Sequence, residues 1–430
     1  MSNIDIFLKK HGMHPDAIDI GECTKTFVEE MRRGLDGRKS TLMMLPAYLS
    51  PERAVPDNEP VIVMDAGGTN FRTALVTFAD GRPNVEYSRV QPMPGSYGEI
   101  SKEEFLQTIA GYLEPVIGKS DKIGFCFSYP AEILPNRDGR LIGLSKEVRV
   151  RGSDNMHICA EIAKKLAENG VTGTKRFVLL NDTAAALLGG ICAMAERPFE
   201  TYVGFVYGTG INTCYIEQTA GIGKLGQGQD MGKMLVNTES GGYGKMPSGE
   251  FDRLFDQKTV NPGSQLLEKM VSGRYQGGVI LLTLQQAAAQ GLFSAFFANA
   301  TADMAELSMK EVDEFCYHPY GNNTLAGICA DDGDVEALYA IIDRSVDRAA
   351  KMITSSLAAI LLKTDSGRMP HKPVCIVAEG SSFYKAKLFR DRLNYYMRDH
   401  IVNNLSRYYE FVKVDDANLL GAAAAALSNC

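Results

Sequence analysis

The chain has 430 residues, 45% hydrophobic and 23% charged, the make-up of a globular chain long enough to bury sizeable cores and to divide into two domains. Its formal net charge of −7 gives no overall electrostatic reason to expect nucleic acid or an anionic membrane as partner, so an anionic ligand must be held by local groups. Nine cysteines without a CxxC pair and six histidines without HExxH or zinc-type spacing exclude a recognisable metal cage and predict reduced thiols.

In chain order, the opening segment MSNIDIFLKKHGMHPDAIDI lacks a long apolar run and carries acidic residues, unlike a secretory or organelle leader, so a cytoplasmic location is expected. No segment reads as long and apolar enough to span a bilayer. The first 45 residues read as helical, with Cys23 to Met31 an amphipathic set, and Pro46 to Pro60 reads as a Pro-rich connector at a domain seam. From Val61 the texture changes to short apolar runs punctuated by glycine: VIVMDAGGTNFRTALVTF, KIGFCFSYP, RFVLLNDTAAALLGG and TYVGFVYGTGINTCYIE. Helical stretches such as SKEEFLQTIAGYLEPVI and MHICAEIAKKLAEN lie between them. This alternation predicts an α/β architecture.

Val61 to Val76 and Tyr202 to Glu217 share one plan: an apolar strand, a turn rich in Gly and Thr, an Asn, and a second strand. Taken singly, such a turn reads as a tight hairpin. Taken as a pair, the turns read as two phosphate cradles, because successive glycines let backbone N–H groups approach an anion and the threonine hydroxyl adds a donor. Two facing cradles predict a nucleotide held between two domains. Asp65, at the end of the first strand, is placed either to bond its own turn or to orient a water on Mg²⁺. Neither hairpin matches the GxxxxGK[ST] or GxGxxGxV pattern, which disfavours P-loop and protein-kinase mechanisms.

In FVLLNDTAAALLGG a buried strand ends at Asn181 and Asp182 and a helix begins. Asp182 reads as the helix N-cap, as a general base for a substrate hydroxyl at the carboxyl end of a strand, or as both. For phosphoryl transfer the carboxylate need only orient the hydroxyl and take its proton late.

Together, VIVMDAGGTNFR, FCFSYP, LSK, NDT, GTGINTCYIE, NTESGGYG and NPGSQLLEKMVSGRY resemble, in the same order, the motif series of the hexokinase family. The resemblance covers roughly Val61 to Gly421. It implies an α/β, actin-like ATPase (ribonuclease H-like) fold with a hinged central cleft. It also implies a small domain of 46–182 with 415–430, and a large domain of 1–45 with 183–414. By the same resemblance Ser128, Ser145, Lys146, Asn181, Asp182, Asn212, Glu239, Gln265 and Glu268 are the sugar contacts, with Asp182 the catalytic base. Carboxylates and amides suit a hexose, whose hydroxyls each donate and accept. Asp65, Gly67, Gly68, Thr69, Asn70, Arg72, Gly208, Thr209 and Gly210 match the phosphate side, with Arg72 otherwise readable as an outward strand residue. Following VCIVA, Glu379, Gly380, Ser381 and Ser382 resemble the adenosine-side strand and turn, with one extra residue, and Gly421 matches the glycine of the final helix.

The implied activity is ATP-dependent phosphorylation of a hexose, glucose at its 6-hydroxyl, as in the first step of glycolysis. ATP and Mg²⁺ are the implied cofactors, with the metal carried by the nucleotide and touched by Asp65 only through water. The expected partners are a hexose and a nucleotide, with no nucleic acid and no membrane, in a monomer or homodimer. A non-catalytic sugar sensor of the same fold and a kinase for an amino or N-acetyl hexose are the alternatives. Three departures from the family pattern stand out. Leu144 and Ser240 stand where tryptophan is usual, which alters the surroundings of the sugar pocket. Asn418, Leu419 and Leu420 stand where small residues are usual, which predicts a reshaped adenine wall and a less strict donor. Ala66 replaces a commoner leucine. Sugar binding is expected to close the two domains and exclude water.

Overall fold

A computed structural model describes residues 2–144, 148–226 and 232–430. Helix α1 (Ile20–Leu35) is capped by the Asp19 side chain, and its Cys23, Phe27, Met31 and Leu35 recur at helical spacing on one buried face. The expected amphipathic set thus forms. The chain continues through the short strand β1 (Leu45–Pro46) into the connector. Then come β2 (Val61–Ala66), β3 (Asn70–Ala79) and β4 (Arg82–Pro92), helix α2 (Lys102–Leu113), β5 (Lys122–Phe127), α3 (Ile158–Glu168), β6 (Arg176–Leu180) and α4 (Asp182–Ala193). The second half follows with β7 (Tyr202–Tyr207), β8 (Ile211–Gln218) and β9 (Lys233–Asn237). Helices α5 (Leu266–Val271) and α6 (Asp332–Lys363) lead to β10 (Val374–Glu379), β11 (Tyr409–Val412) and α7 (Ala417–Asn429).

The strands form two large sheets with the same plan. One runs β6-β5-β2-β3-β4 and the other β11-β10-β7-β8-β9, the latter extended by β1. In each, an antiparallel meander (β2-β3-β4, or β7-β8-β9) continues on one side into two parallel strands. The duplication read from the two hairpins therefore extends through five strands and the helix that follows them. The connector carries the chain across, since β1 pairs with β9 in one sheet while β2 opens the other.

Alternation along the strands builds three cores. Ile62, Met64 and Phe71 face outward from the first sheet onto α2 and α3, in a cluster with Phe105, Ile109 and Ile162. Phe205, Tyr207 and Ile376 face the opposite outer side with α1 and α6. The inner faces, with Val61, Val63, Cys214 and Val377, share a central cluster with α4 and α7. Those two helices meet through glycine: a Cβ on Gly421 of α7 would overlap the Ala185 carbonyl, and one on Gly189 of α4 would overlap that of Ala417. The backbones consequently approach more closely than side chains would permit. Among the described residues all nine cysteines are free thiols, and no helix is long and apolar enough to cross a membrane.

Candidate active site

The β2–β3 turn is anchored by its carbonyls. Ser128 N donates to Ala66 O (3.1 Å), Tyr129 Oη to Gly67 O (2.7 Å) and Gly68 O (3.1 Å), Met93 N to Thr69 O (2.9 Å), and Gly67 N to Asn70 O (2.9 Å). A turn whose carbonyls all face protein donors presents its N–H groups to the open side. Gly68 and Thr69 are exposed there, and a Cβ at Gly68 would meet nothing within 4 Å. The β7–β8 turn repeats this design: Gly208 O accepts from Gly273 N (2.8 Å) and Ser382 Oγ (3.2 Å), Thr209 O from Arg274 N (3.3 Å), and Gly210 O from Gly208 N (2.9 Å). Both predicted hairpins form.

Asp65 closes β2 beside the first turn. Burial raises its pKa, the Cys126 thiol and the Arg72 guanidinium act in the opposite direction, and the Asp416 carboxylate adds to the rise. Arg72 leaves β3 on the side of α7, donating through Nε to Ser88 Oγ (2.9 Å) and through Nη1 to Asp416 Oδ1 (2.5 Å). It is therefore not a free outward residue: an anion at the first turn would share it with Asp416, the left-handed N-cap of α7 (φ 55°).

Asp182 is not the N-cap of α4. Asn181 takes that position in extended conformation, its Oδ1 accepting from Thr183 N (3.0 Å) and Thr183 Oγ1 (2.6 Å), and Asp182 begins the helix. Asp182 Oδ1 accepts from Thr183 N (2.8 Å). Burial pushes the Asp182 carboxyl up to about 6; the Asp65 charge adds to this, while the Thr183 amide and the Ser128 hydroxyl oppose it. A carboxylate at that value is ionised at neutral pH yet more basic than a surface aspartate.

Facing it is the other half of the predicted sugar set. Asn212 Nδ2 lies 3.4 Å from Asn181 Oδ1 and 3.3 Å from Glu239 Oε1. Glu268 Oε2 accepts from Ile211 N (3.2 Å), and a Cβ at Gly210 would stand 2.6 Å from the same oxygen, so the glycine of the second turn makes room for this carboxylate. The Gln265 amide lies over Gly241, beside Glu268. Glu239 and Gln265 both adopt left-handed backbone (φ 54° and 52°), strained for non-glycine residues and retained where the surroundings over-determine it. Glu239 is pushed up to about 7, first by burial and then by Asp182 and Glu268, and burial also raises Glu268. The helix bearing Glu268 is pinned from below: buried Lys269 donates to Asp256 Oδ1 (2.6 Å) and Asn261 O (2.8 Å), and Asp256 also accepts from Gly263 N.

The structure thus gathers Ser128, Asn181, Asp182, Asn212, Glu239, Gln265 and Glu268. Ser145 and Lys146 lie outside the described residues. On the donor side, Gly380 (φ 109°) backs onto the Tyr207 carbonyl and Ser382 reaches Gly208, while Ser381 is exposed. The half-exposed Glu379 is pushed up to about 7 by burial and by Asp415 and Asp182, against Lys413. Gly421, which by motif matches the nucleotide side, packs inside the α4–α7 contact, where its missing side chain makes room for Ala185. Leu419 and Leu420 are buried in the central core, and of the three unusual residues only Asn418 stays half-exposed.

Asn237, Thr183 and Asp416 stand beside the predicted residues and are not among them, although Thr183 and Asn237 lie inside the NDT and NTESGGYG motifs. Asn237 opens the NTE triplet, two residues before Glu239 on the same strand path, which is the one local signal that points to it.

Two sequence models, both described as hexokinase, match residues 7–192 and 202–428. Hexokinase-1 of Bos taurus is 29% identical over 386 residues, covering 83% of this chain and 41% of that protein. Hexokinase-2 of Homo sapiens is 26% identical over 430 residues, covering 94% and 46%. The chain therefore spans less than half the length of the curated relatives it matches. Among solved structures, a hexokinase from Schistosoma mansoni complexed with glucose superposes with a TM-score of 0.75 at 22% identity, covering 99% of this chain and 100% of that one. A further hexokinase crystal structure reaches 0.79 at 20% identity, covering 99% of each. Likeness at that level establishes a shared fold, the two-sheet actin-like ATPase architecture.

Proposed function

The chain belongs to the hexokinase family, and from that premise we propose that it is a hexose kinase transferring the γ-phosphoryl group of ATP to the 6-hydroxyl of glucose. Support for glucose comes from the bound sugar of the Schistosoma mansoni relative and from the amide-rich pocket around Asn212 and Glu239. The observation that carries the reading is Asp182, a buried carboxylate raised to about 6, set among the hexose-binding side chains and coupled to Asp65 at the first phosphate turn.

In this reading Ser128, Asn181, Asn212, Glu239, Gln265 and Glu268 hold the ring hydroxyls, with Ser145 and Lys146 as further contacts. Asp182 Oδ1 accepts from Thr183 N, and the carboxylate accepts the proton of the attacking hydroxyl. The hydroxyl oxygen forms the new bond to phosphorus as the bond to the β–γ bridging oxygen breaks, releasing ADP. Gly68, Thr69 and Asn70 with Thr209 and Gly210 offer N–H and hydroxyl donors to the phosphates, Gly67 and Gly208 close the two turns with their own N–H groups, and Arg72 neutralises charge there. Gly380, Ser381 and Ser382 border the adenosine.

The open space at Gly68 and the carboxylate of Asp65 beside it fit a metal–nucleotide complex, and no group of three or more His, Cys, Asp or Glu among the described residues is arranged to hold a metal by itself. Mg²⁺ on the phosphates would supply charge neutralisation, with Asp65 reaching it through water. We assign the lobes as 46–182 with 415–430 and 1–45 with 183–414.

A coupled assay crossing a panel of hexoses with ATP, GTP, ADP, pyrophosphate and polyphosphate tests the proposal. Turnover of glucose with ATP is expected. Hexose binding without turnover for any donor would overturn catalysis, and a clear preference for an amino or N-acetyl hexose would overturn the acceptor.

A further inference from the structure

We propose that Asn237, at the end of β9, is a positioning residue that aims the Glu239 carboxylate and the Asn212 amide at the hexose, as the middle member of a one-way hydrogen-bond relay. The inference rests on the hexose-kinase reading of the same pocket.

The direction of the relay is set by backbone. Asn212 Oδ1 accepts from Thr213 N (2.8 Å) and Ser240 N (3.3 Å). Two fixed donors leave the Asn212 amide one orientation, with its nitrogen turned away from them. That nitrogen stands 2.7 Å from Asn237 Oδ1. The Asn237 amide is oriented in turn, and its Nδ2 donates to Glu239 Oε1 at 2.6 Å. Thr183 Oγ1, beside Asp182, lies 3.5 Å from Asn237 Oδ1 and ties the relay to the first turn of α4.

This arrangement has consequences for binding. Asn237 is only 6% exposed, so both ends of its amide need partners inside the protein. Glu239 stands in left-handed backbone, where side-chain direction is not set by regular secondary structure. With Oε1 held by Asn237, the other oxygen, Oε2, is the one left to accept from a sugar hydroxyl. The Asn237 and Asn212 amides also oppose the upward pull of burial on Glu239. An amide is needed at 237, since a carboxylate there would set acceptor against acceptor at Glu239.

The test is calorimetric titration of the full chain with glucose and, separately, with ATP, across pH 5.5 to 8.5. For Asn237→Asp we expect glucose affinity to fall about tenfold at pH 7, as for loss of one buried charge-assisted hydrogen bond. The pH at which half the glucose affinity is lost should move upward, and ATP affinity should stay within about twofold. Thr238→Val serves as the structural control, because it deletes the neighbouring buried hydroxyl's bonds to Thr213 Oγ1 (2.7 Å) and Thr213 O (3.0 Å) and leaves every side chain of the relay in place; its glucose affinity should match wild type. If Asn237→Asp does not fold, Asn237→Ser is expected to show the tenfold loss. Wild-type glucose affinity in either Asn237 variant, or an equal loss in Thr238→Val, would overturn the relay. Wild-type protein that binds no hexose would overturn the kinase reading itself.

Discussion

At the scale of single residues, the electrostatics of the pocket set both rate and stability. Asp182→Asn should fold normally and lose roughly 10²-fold to 10⁴-fold in kcat, the usual contribution of a positioned base; near-wild-type turnover in a steady-state assay would remove Asp182 from the mechanism. The same substitution should raise stability in alkaline buffer. Asp182 has a folded-state pKa of about 6, above its ordinary value of 3.8. Its stabilising contribution is therefore complete below 3.8 and is lost as pH rises through about 6, so above that the ionised carboxylate costs stability. At pH 8 the asparagine variant should melt at least about 2 °C higher than wild type, and the gap should close toward pH 4; a lower melting point at pH 8 would contradict the burial argument. Activity runs the other way. On the proposed mechanism Asp182 and Glu239 are both ionised to accept hydrogen bonds from the sugar, so kcat/KM for glucose should fall as pH drops through the window from about 7 to about 6. A flat profile down to pH 5 would sink that assignment.

At the scale of elements, the packing of helices α4 and α7 bears on a residue that motif matching puts on the nucleotide side. Gly421 matches a family glycine, and by motif it reads as a nucleotide residue. Its place against Ala185 assigns it to helix packing. Gly421→Ala should therefore destabilise the protein by about 1–3 kcal/mol through overpacking, measured by denaturant unfolding, with the KM for ATP of the folded fraction unchanged. Unaltered stability with a raised ATP KM would restore the nucleotide role. The hairpins were legible because their determinants are local: apolar strand, Gly-Thr turn and second strand are contiguous, and the carbonyl anchoring adds detail to a turn already marked. The N-cap of α4 was misread by one residue, since Asn and Asp cap equally well and only the backbone angles separate them.

At the scale of the molecule, the repeated topology explains why the site lies where it does. Each repeat ends in a helix opened by an aspartate at its first turn or cap, Asp182 on α4 and Asp416 on α7, and the two helices pack against each other. One aspartate lies among the side chains proposed to bind the hexose, and the other holds Arg72 beside the β2–β3 turn. With the lobes proposed above, hexose binding should draw Ser128 and Asp182 toward Asn212, Glu239 and Glu268. A non-phosphorylatable glucose analogue is then expected to lower the radius of gyration in solution scattering and to raise basal ATP hydrolysis. An unchanged radius at saturating analogue would overturn closure.

The sequence by itself determined the α/β class, the two phosphate-type hairpins, the family, and most of the residues that meet at the pocket, because each depends on residue types and spacings within short stretches. Tertiary structure alone decided how those residues are aimed. The partner of Arg72 is 344 positions away, the amides that orient Glu239 come from two adjacent strands, and the closeness that demands glycine at 421 exists only once α7 lies on α4. Such facts depend on distances between remote segments and on burial, which sets the pKa values of Asp182 and Glu239, and neither is written in local order.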